Sequence, residues 1–194
     1  MASPRRVVVA SKNPDKIREV EAVLERMDHP WEIVRGLDWP DVDETEATLE
    51  GNALLKALAV SETTGLAALG DDTGLEVDAL DGRPGVFSAR FAGPDATYEQ
   101  NVDRLLADLD GVADRSARFR TAIAFVVPGS TPLIVEGTLE GAITEERRGE
   151  RGFGYDPVFA VGERTYAEMS DGEKNEISHR ARALRALTVA LEAQ

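Results

Sequence analysis

An α/β fold is predicted by three features of the sequence. Arg5-Arg6-Val7-Val8-Val9-Ala10-Ser11 is a β-branched run closed by a polar turn, the mark of a buried strand. Stretches with apolar residues at helical spacing alternate with runs of strand character along the chain. Two long strand patterns, Ala117 to Val127 and Leu133 to Ile143, flank the turn Pro128-Gly129-Ser130-Thr131-Pro132 and read as a hairpin. The 194 residues suffice for one domain, residues 1–194, with a substantial core.

Composition narrows the function classes. At 42% hydrophobic and 30% charged residues the chain is an ordinary soluble globular protein. No apolar stretch reaches the length of a membrane span, and Met1 to Arg6 leads into the first strand without the apolar segment of a signal peptide. A cytoplasmic enzyme is the simplest reading. The lack of cysteine removes disulfides, zinc–thiolate sites and thiol nucleophiles. A net charge of -14 argues against a nucleic-acid partner, because such binding needs Lys and Arg to neutralise phosphates. Among 22 basic residues only Lys12, Lys16, Lys56 and Lys174 are lysines. Each is a candidate for a task that needs a flexible point charge, unless the arginine excess is coding bias alone.

After the first strand, Asn13 and Pro14 suit a helix N-cap and first helical position, with Ile17, Val20, Leu24 and Met27 as the apolar stripe. Lys16 then falls in the first turn, where the helix dipole favours negative charge, so an anion is expected beside it. Ser11-Lys12-Asn13-Pro14-Asp15-Lys16 reads either as a phosphate cradle or as a surface turn with a poorly placed lysine. Trp31 to Arg35 is a second strand, followed by an acidic connection from Asp38 to Glu46, any one of whose acids could reach a metal. Thr48 to Thr63 reads as a helix on which Asn52 and Lys56, four apart, share a side. Taken alone, that pair fits a solvated polar stripe better than a site.

Leu66-Ala67-Ala68-Leu69-Gly70-Asp71-Asp72-Thr73-Gly74 is the centre of the reading: a buried strand that is expected to stop at two adjacent carboxylates. Alone it fits a solvated turn, but two neighbouring acids at a strand end also suit a hydrated Mg²⁺, which takes one or two carboxylates and leaves positions for phosphates. Gly74 to Leu80 alternates like a half-exposed strand, Asp81 to Gly85 is a turn cluster, and Phe87 to Phe91 could line a site or edge the core. Tyr98 to Leu109 is an amphipathic helix. The loop Gly149 to Gly154 runs into Phe153-Gly154-Tyr155-Asp156-Pro157, where a glycine between aromatics allows a flat ligand to approach and Asp156 can accept hydrogen bonds; plain aromatic packing is the commoner cause of such a segment. Ser178 can cap a last helix, with His179 and Arg180 in its first turn and Lys174 upstream. A second helix start thus carries a cation at the wrong end, and such local violations tend to mark functional sites. Together these features describe a pocket for a polyanion with a planar head group, that is, a nucleotide.

The ordered set Ser11-x-Asn13-x-x-Lys16, Thr48-Leu49-Glu50-Gly51-Asn52-Ala53-x-x-Lys56, Asp71-Asp72-Thr73-Gly74-Leu75, Gly82-x-Pro84-Gly85-x-x-Ser88-Ala89-Arg90, Phe153-Gly154-Tyr155-Asp156-Pro157 and Lys174-x-x-Ile177-Ser178-His179-Arg180 closely resembles the inosine triphosphate pyrophosphatase family. Three of the four lysines fall on its motifs. The resemblance implies an elongated two-lobed α/β fold around a long twisted mixed sheet flanked by helices, in a homodimer. It implies hydrolysis of the non-canonical purine nucleoside triphosphates ITP, dITP and XTP to monophosphate and pyrophosphate, with Mg²⁺ as cofactor. Asp72 would then be the general base and a metal ligand, Glu44 the second metal carboxylate, and Asp71 a helper of the metal or its water. Ser11, Lys12, Asn13, Pro14, Asp15, Lys16, Lys56 and Thr73 would hold phosphates and sugar, while Phe153, Gly154, Tyr155, Asp156, Lys174, His179 and Arg180 would surround a 6-oxo purine base. Ser11 and Thr73 stand where the family often has Thr and Ser, and Gly51 replaces a frequent acid. A pyrophosphatase resembling Maf proteins, or a nucleotide sensor without turnover, are the competing readings.

Overall fold

The computed structural model describes residues 5–27 and 31–193; the lead-in Met1 to Pro4 lies outside them. Strands Arg5–Val9 (β1), Trp31–Ile33 (β2), Ala67–Val77 (β3), Pro84–Gly85 (β4), Ser116–Val126 (β5), Leu133–Ile143 (β6), Phe159–Val161 (β7) and Arg164–Thr165 (β8) form one sheet. Their order is β2-β1-β3-β5-β6-β7-β8, with β4 on β3. The sheet is mixed, as expected: β1 runs parallel to β2 and β3, whereas β3–β4, β6–β7 and β7–β8 are antiparallel. Among the described residues five α-helices accompany it: Pro14–Leu24 (α1), Leu49–Thr64 (α2), Tyr98–Asp108 (α3), Asp171–Ile177 (α4) and His179–Glu192 (α5).

The chain groups into two compact units. The first comprises residues 1–72, 121–137 and 179–194, and its core is built from Val7 and Val9 of β1, Val20 and Leu24 of α1, Leu69, Ile123, Phe125, and Leu184 and Leu187 of α5. The second comprises residues 73–120 and 138–178, with a core of Leu75, Leu105, Phe119, Ile143, Phe159 and Tyr166.

The structure departs from the sequence reading at β3. The strand does not end at Asp71-Asp72 but continues through both to Val77. Within the first unit the reason lies at Gly70, where an added Cβ would stand 2.0 Å from the Ala53 carbonyl oxygen, so that α2 lies directly on the strand backbone. The acids can stay buried in mid-strand because cations meet them there. Other departures are smaller. Asp78–Leu80 is a 3-10 turn rather than the end of a strand. A short helix, α4, opens on a capping box of Ser170 and Glu173 and has Ser178 as its C-cap, directly before α5. Met27 lies beyond α1 but still packs on the first core.

Candidate active site

Three helices and one loop of the first unit bring charge to Asp71 and Asp72. Asp72 is 4% exposed, and its Oδ1 accepts a hydrogen bond from Lys56 Nζ of α2 at 2.8 Å. The same ammonium donates to Glu44 Oε1, also at 2.8 Å. Glu44 comes from the acidic connection, which carries no helix or strand before α2, so two carboxylates distant in sequence converge on one cationic centre. Asn52 Nδ2 lies 3.4 Å from Asp72 Oδ2 and is fully buried, so the side shared by Asn52 and Lys56 is not a solvated stripe. Burial raises the pKa of Asp72, Lys16 and Lys56 pull it down, and nearby Glu44 raises it again; the carboxyl ends above its ordinary value. Burial works against the charge of Lys56, but Asp72 and Glu44 outweigh it and leave the amine more basic than usual.

Asp71 answers both misplaced cations. Lys16 Nζ, in the first turn of α1, is 2.9 Å from Asp71 Oδ1 and 3.9 Å from Asp72 Oδ1. Arg180, in the first turn of α5, donates from Nε to Asp71 Oδ2 at 2.8 Å and from Nη1 to Glu19 of α1. The anion expected beside each helix start is therefore a carboxylate of the chain itself. Burial pushes the Asp71 carboxyl upward, yet Arg180 and Lys16 hold it well below the usual carboxylate range. Arg180, 1% exposed, likewise stays charged, because Asp71 and Glu19 outweigh the cost of burial.

The remaining expectations divide between the units. In the first, Asn13 caps α1, with Oδ1 accepting from the Asp15 and Lys16 amides, and Ser11 Oγ accepts from the Asn13 amide at 3.1 Å. In this structure those N–H groups are met by side chains of the loop. Pro14 takes the first helical position, Asp15 pairs with Arg18, and the exposed Lys12 reaches Asp41 at 2.5 Å. His179 is buried at the start of α5. Arg180, expected beside the base, pairs with Asp71 in the first unit.

Thr73 and the aromatic loop belong to the second unit. There Asp156 Oδ2 accepts from Lys174 Nζ at 2.5 Å and from the Phe153 amide at 2.9 Å. The ammonium sits 5.0 Å from the ring centroids of both Phe153 and Tyr166, a buried cation held by one carboxylate and two aromatic faces. Gly152 makes the turn possible, since a Cβ there would fall 1.9 Å from Asp156 Oδ2. Gly154 has φ +62° and open space around it. Tyr155 is a core residue whose hydroxyl donates to the Ser88 carbonyl at 2.9 Å. Sequence reasoning missed Glu19 and Tyr166. Glu19 stands one helical turn from Lys16, a spacing that could have pointed to it; nothing in the local sequence marks Tyr166.

A model of the Ham1 family matches residues 7–190. A dITP/XTP pyrophosphatase of Bacillus licheniformis is 48% identical over 193 residues, covering 97% of this chain and 98% of that protein. Among solved structures, a HAM1 protein from Coxiella burnetii aligns with a TM-score of 0.86 at 40% identity, covering 98% of this chain and all of its own. A nucleoside-triphosphatase / dITP/XTP pyrophosphatase from Mycobacterium abscessus aligns with a TM-score of 0.74 at 42% identity, over 94% of this chain and 97% of its own.

Proposed function

Because the chain belongs to the Ham1 family, we propose that it hydrolyses the non-canonical purine nucleoside triphosphates ITP, dITP and XTP to the monophosphate and pyrophosphate. The observation that carries this reading is the convergence of Glu44 and Asp72 on one cationic position, 2.8 Å from each carboxylate oxygen. An all-oxygen pair of this kind fits Mg²⁺, which favours hard oxygen ligands and is commonly held by one or two carboxylates together with substrate phosphates. When held by these two carboxylates, Mg²⁺ would neutralise phosphate charge and acidify its water.

The chain's own residues supply the rest. We assign Asp72, buried beside Lys56 and Glu44, to take a proton from, or orient, the attacking water. Lys16 brings positive charge to Asp71 and Asp72, and Lys56 to Asp72 and Glu44, as phosphoryl transfer requires, because that chemistry rests on positioning and charge neutralisation. Asp71, tied to Arg180, fixes the strand beneath. In the second unit Phe153, Asp156 and Lys174 are assigned to the base: an ammonium can donate to a 6-oxo group, whereas a 6-amino group would present donor to donor.

Pyrophosphate release from ITP, XTP, ATP and GTP, with Mg²⁺ and with EDTA, tests the proposal. Preferential release from ITP and XTP, abolished by EDTA and lowered about 10²-fold or more in Asp72→Asn, is expected. Binding of ITP without release under any metal would make the protein a sensor instead. We extend the reading to a cytoplasmic homodimer; a solution mass equal to one 21.0 kDa chain would refute the dimer.

A further inference from the structure

We infer that Asn52 is a positioning residue for the divalent-ion site: its carboxamide clamps the connection that carries Glu44 against Asp72. This rests on the reading that Glu44 and Asp72 hold the ion. Asn52 lies near the start of α2 and is fully buried. Its Oδ1 accepts from the Glu46 amide at 3.0 Å, and its Nδ2 donates to the Glu46 carbonyl at 3.3 Å and to Asp72 Oδ2 at 3.4 Å. Bonding both the N–H and the C=O of one residue is what a neighbouring strand would do. Here a side chain does it, for a connection that has no helix or strand of its own between residues 37 and 46.

Glu44 stands two residues before that grip, and its Oε1 meets the same Lys56 ammonium as Asp72. A single amide therefore links the loop that bears one carboxylate to the strand that bears the other. Only an amide does this, because a carboxylate at position 52 could donate neither to the Glu46 carbonyl nor to Asp72. Gly51 is the second half of the clamp. An added Cβ there would lie 2.7 Å from Glu46 Cβ and 2.8 Å from its Cγ, so the connection packs on bare main chain. This gives the departure at Gly51 a physical meaning: Glu46 occupies the space that a side chain at position 51 would take.

The test is Mn²⁺ binding, read by the electron paramagnetic resonance of the free ion, in the wild type, Asn52→Ala, Gly51→Ala and Glu44→Gln, with melting temperatures alongside. Residues that orient metal ligands typically cost about 10–100-fold in affinity or activity when changed, and a weakening of Mn²⁺ binding in that range is expected for Asn52→Ala. The Mg²⁺ concentration for half-maximal turnover should shift by the same factor, with the KM for ITP at saturating Mg²⁺ unchanged. Gly51→Ala separates positioning from folding, since alanine favours the helix but must push Glu46 aside. It should weaken Mn²⁺ binding without lowering the melting temperature. Unchanged Mn²⁺ binding in both variants, with binding lost in Glu44→Gln, overturns the clamp and leaves the metal site standing. No Mn²⁺ binding by the wild type, or full binding by Glu44→Gln, overturns the metal site and the clamp with it. Should Asn52→Ala fail to fold, Gly51→Ala decides by the same criterion.

Discussion

Asp71 and Arg180 are each at most 2% exposed, and a buried ion pair behaves differently from one at the surface. Its net contribution is small because both charges have left water, but removing one partner strands the other. Asp71→Asn should therefore lower the free energy of unfolding by about 3–5 kcal/mol, measured in urea. The pH dependence has a definite sign. The folded-state pKa of Asp71 lies below the unfolded value, so its contribution is complete above about pH 3.9 and is lost as the pH falls below that. In Asp71→Asn this part of the acid destabilisation should disappear. Lys56 acts on function instead. Removing its charge by Lys56→Gln takes away one of the influences that lower the Asp72 pKa, so the acid limb of the kcat/KM profile should move to higher pH. A limb that stays in place would exclude Asp72 as the titrating base. Much of this cluster is legible in the sequence, because Lys16 and Arg180 violate the helix-dipole preference and so announce a nearby anion. Which anion they meet is not legible: Arg180 and Asp71 stand 109 positions apart, and only the folded sheet brings them within 2.8 Å.

At the scale of elements, the strands and helices that the sequence marks most clearly are those with strong period or strong caps. β1, α3, β5 and β6 fall close to their expected bounds, for the β-branched run, the amphipathic stripe and the Pro/Gly turn each act locally. The middle of β3 reads as a turn because two acids and two glycines are turn residues by local preference, whereas their charge and space are satisfied by distant partners. α4 is not legible by period because seven residues give too little of it, although Ser170 and Glu173 carry its capping box. The close contact of α2 and β3 yields a prediction of its own. At Gly70 an added Cβ would be 2.0 Å from the Ala53 carbonyl oxygen and 3.0 Å from the Ala57 amide nitrogen, both main-chain atoms that no rotamer change can move. Gly70→Ala must therefore displace the helix from the strand next to Asp71. Overpacking usually costs about 1–3 kcal/mol, and a clash with backbone belongs at or above the top of that range. Urea unfolding should show that loss, and pyrophosphate release should fall with it, since Lys56 rides on α2.

For the whole molecule the open question is how two separate cores unfold. Each unit has its own cluster of buried apolar side chains, which by itself favours two transitions. Chain connectivity argues the other way. Neither unit is a continuous stretch: the chain passes from one to the other after Asp72, Arg120, Gly137 and Ser178. The first three passages fall inside β3, β5 and β6, so each of these strands contributes residues to both units. Melting one unit would have to break three strands in mid-ladder and leave their remaining hydrogen-bonding groups without partners, at a cost near that of a lost hydrogen bond for each buried group. The prediction is that residues 1–194 unfold as the single domain expected from length. Calorimetry should give one transition whose calorimetric and van't Hoff enthalpies agree. Two resolved transitions, or a van't Hoff enthalpy well below the calorimetric one, would mean that the strands part at those passages and that the two cores are independent folding units.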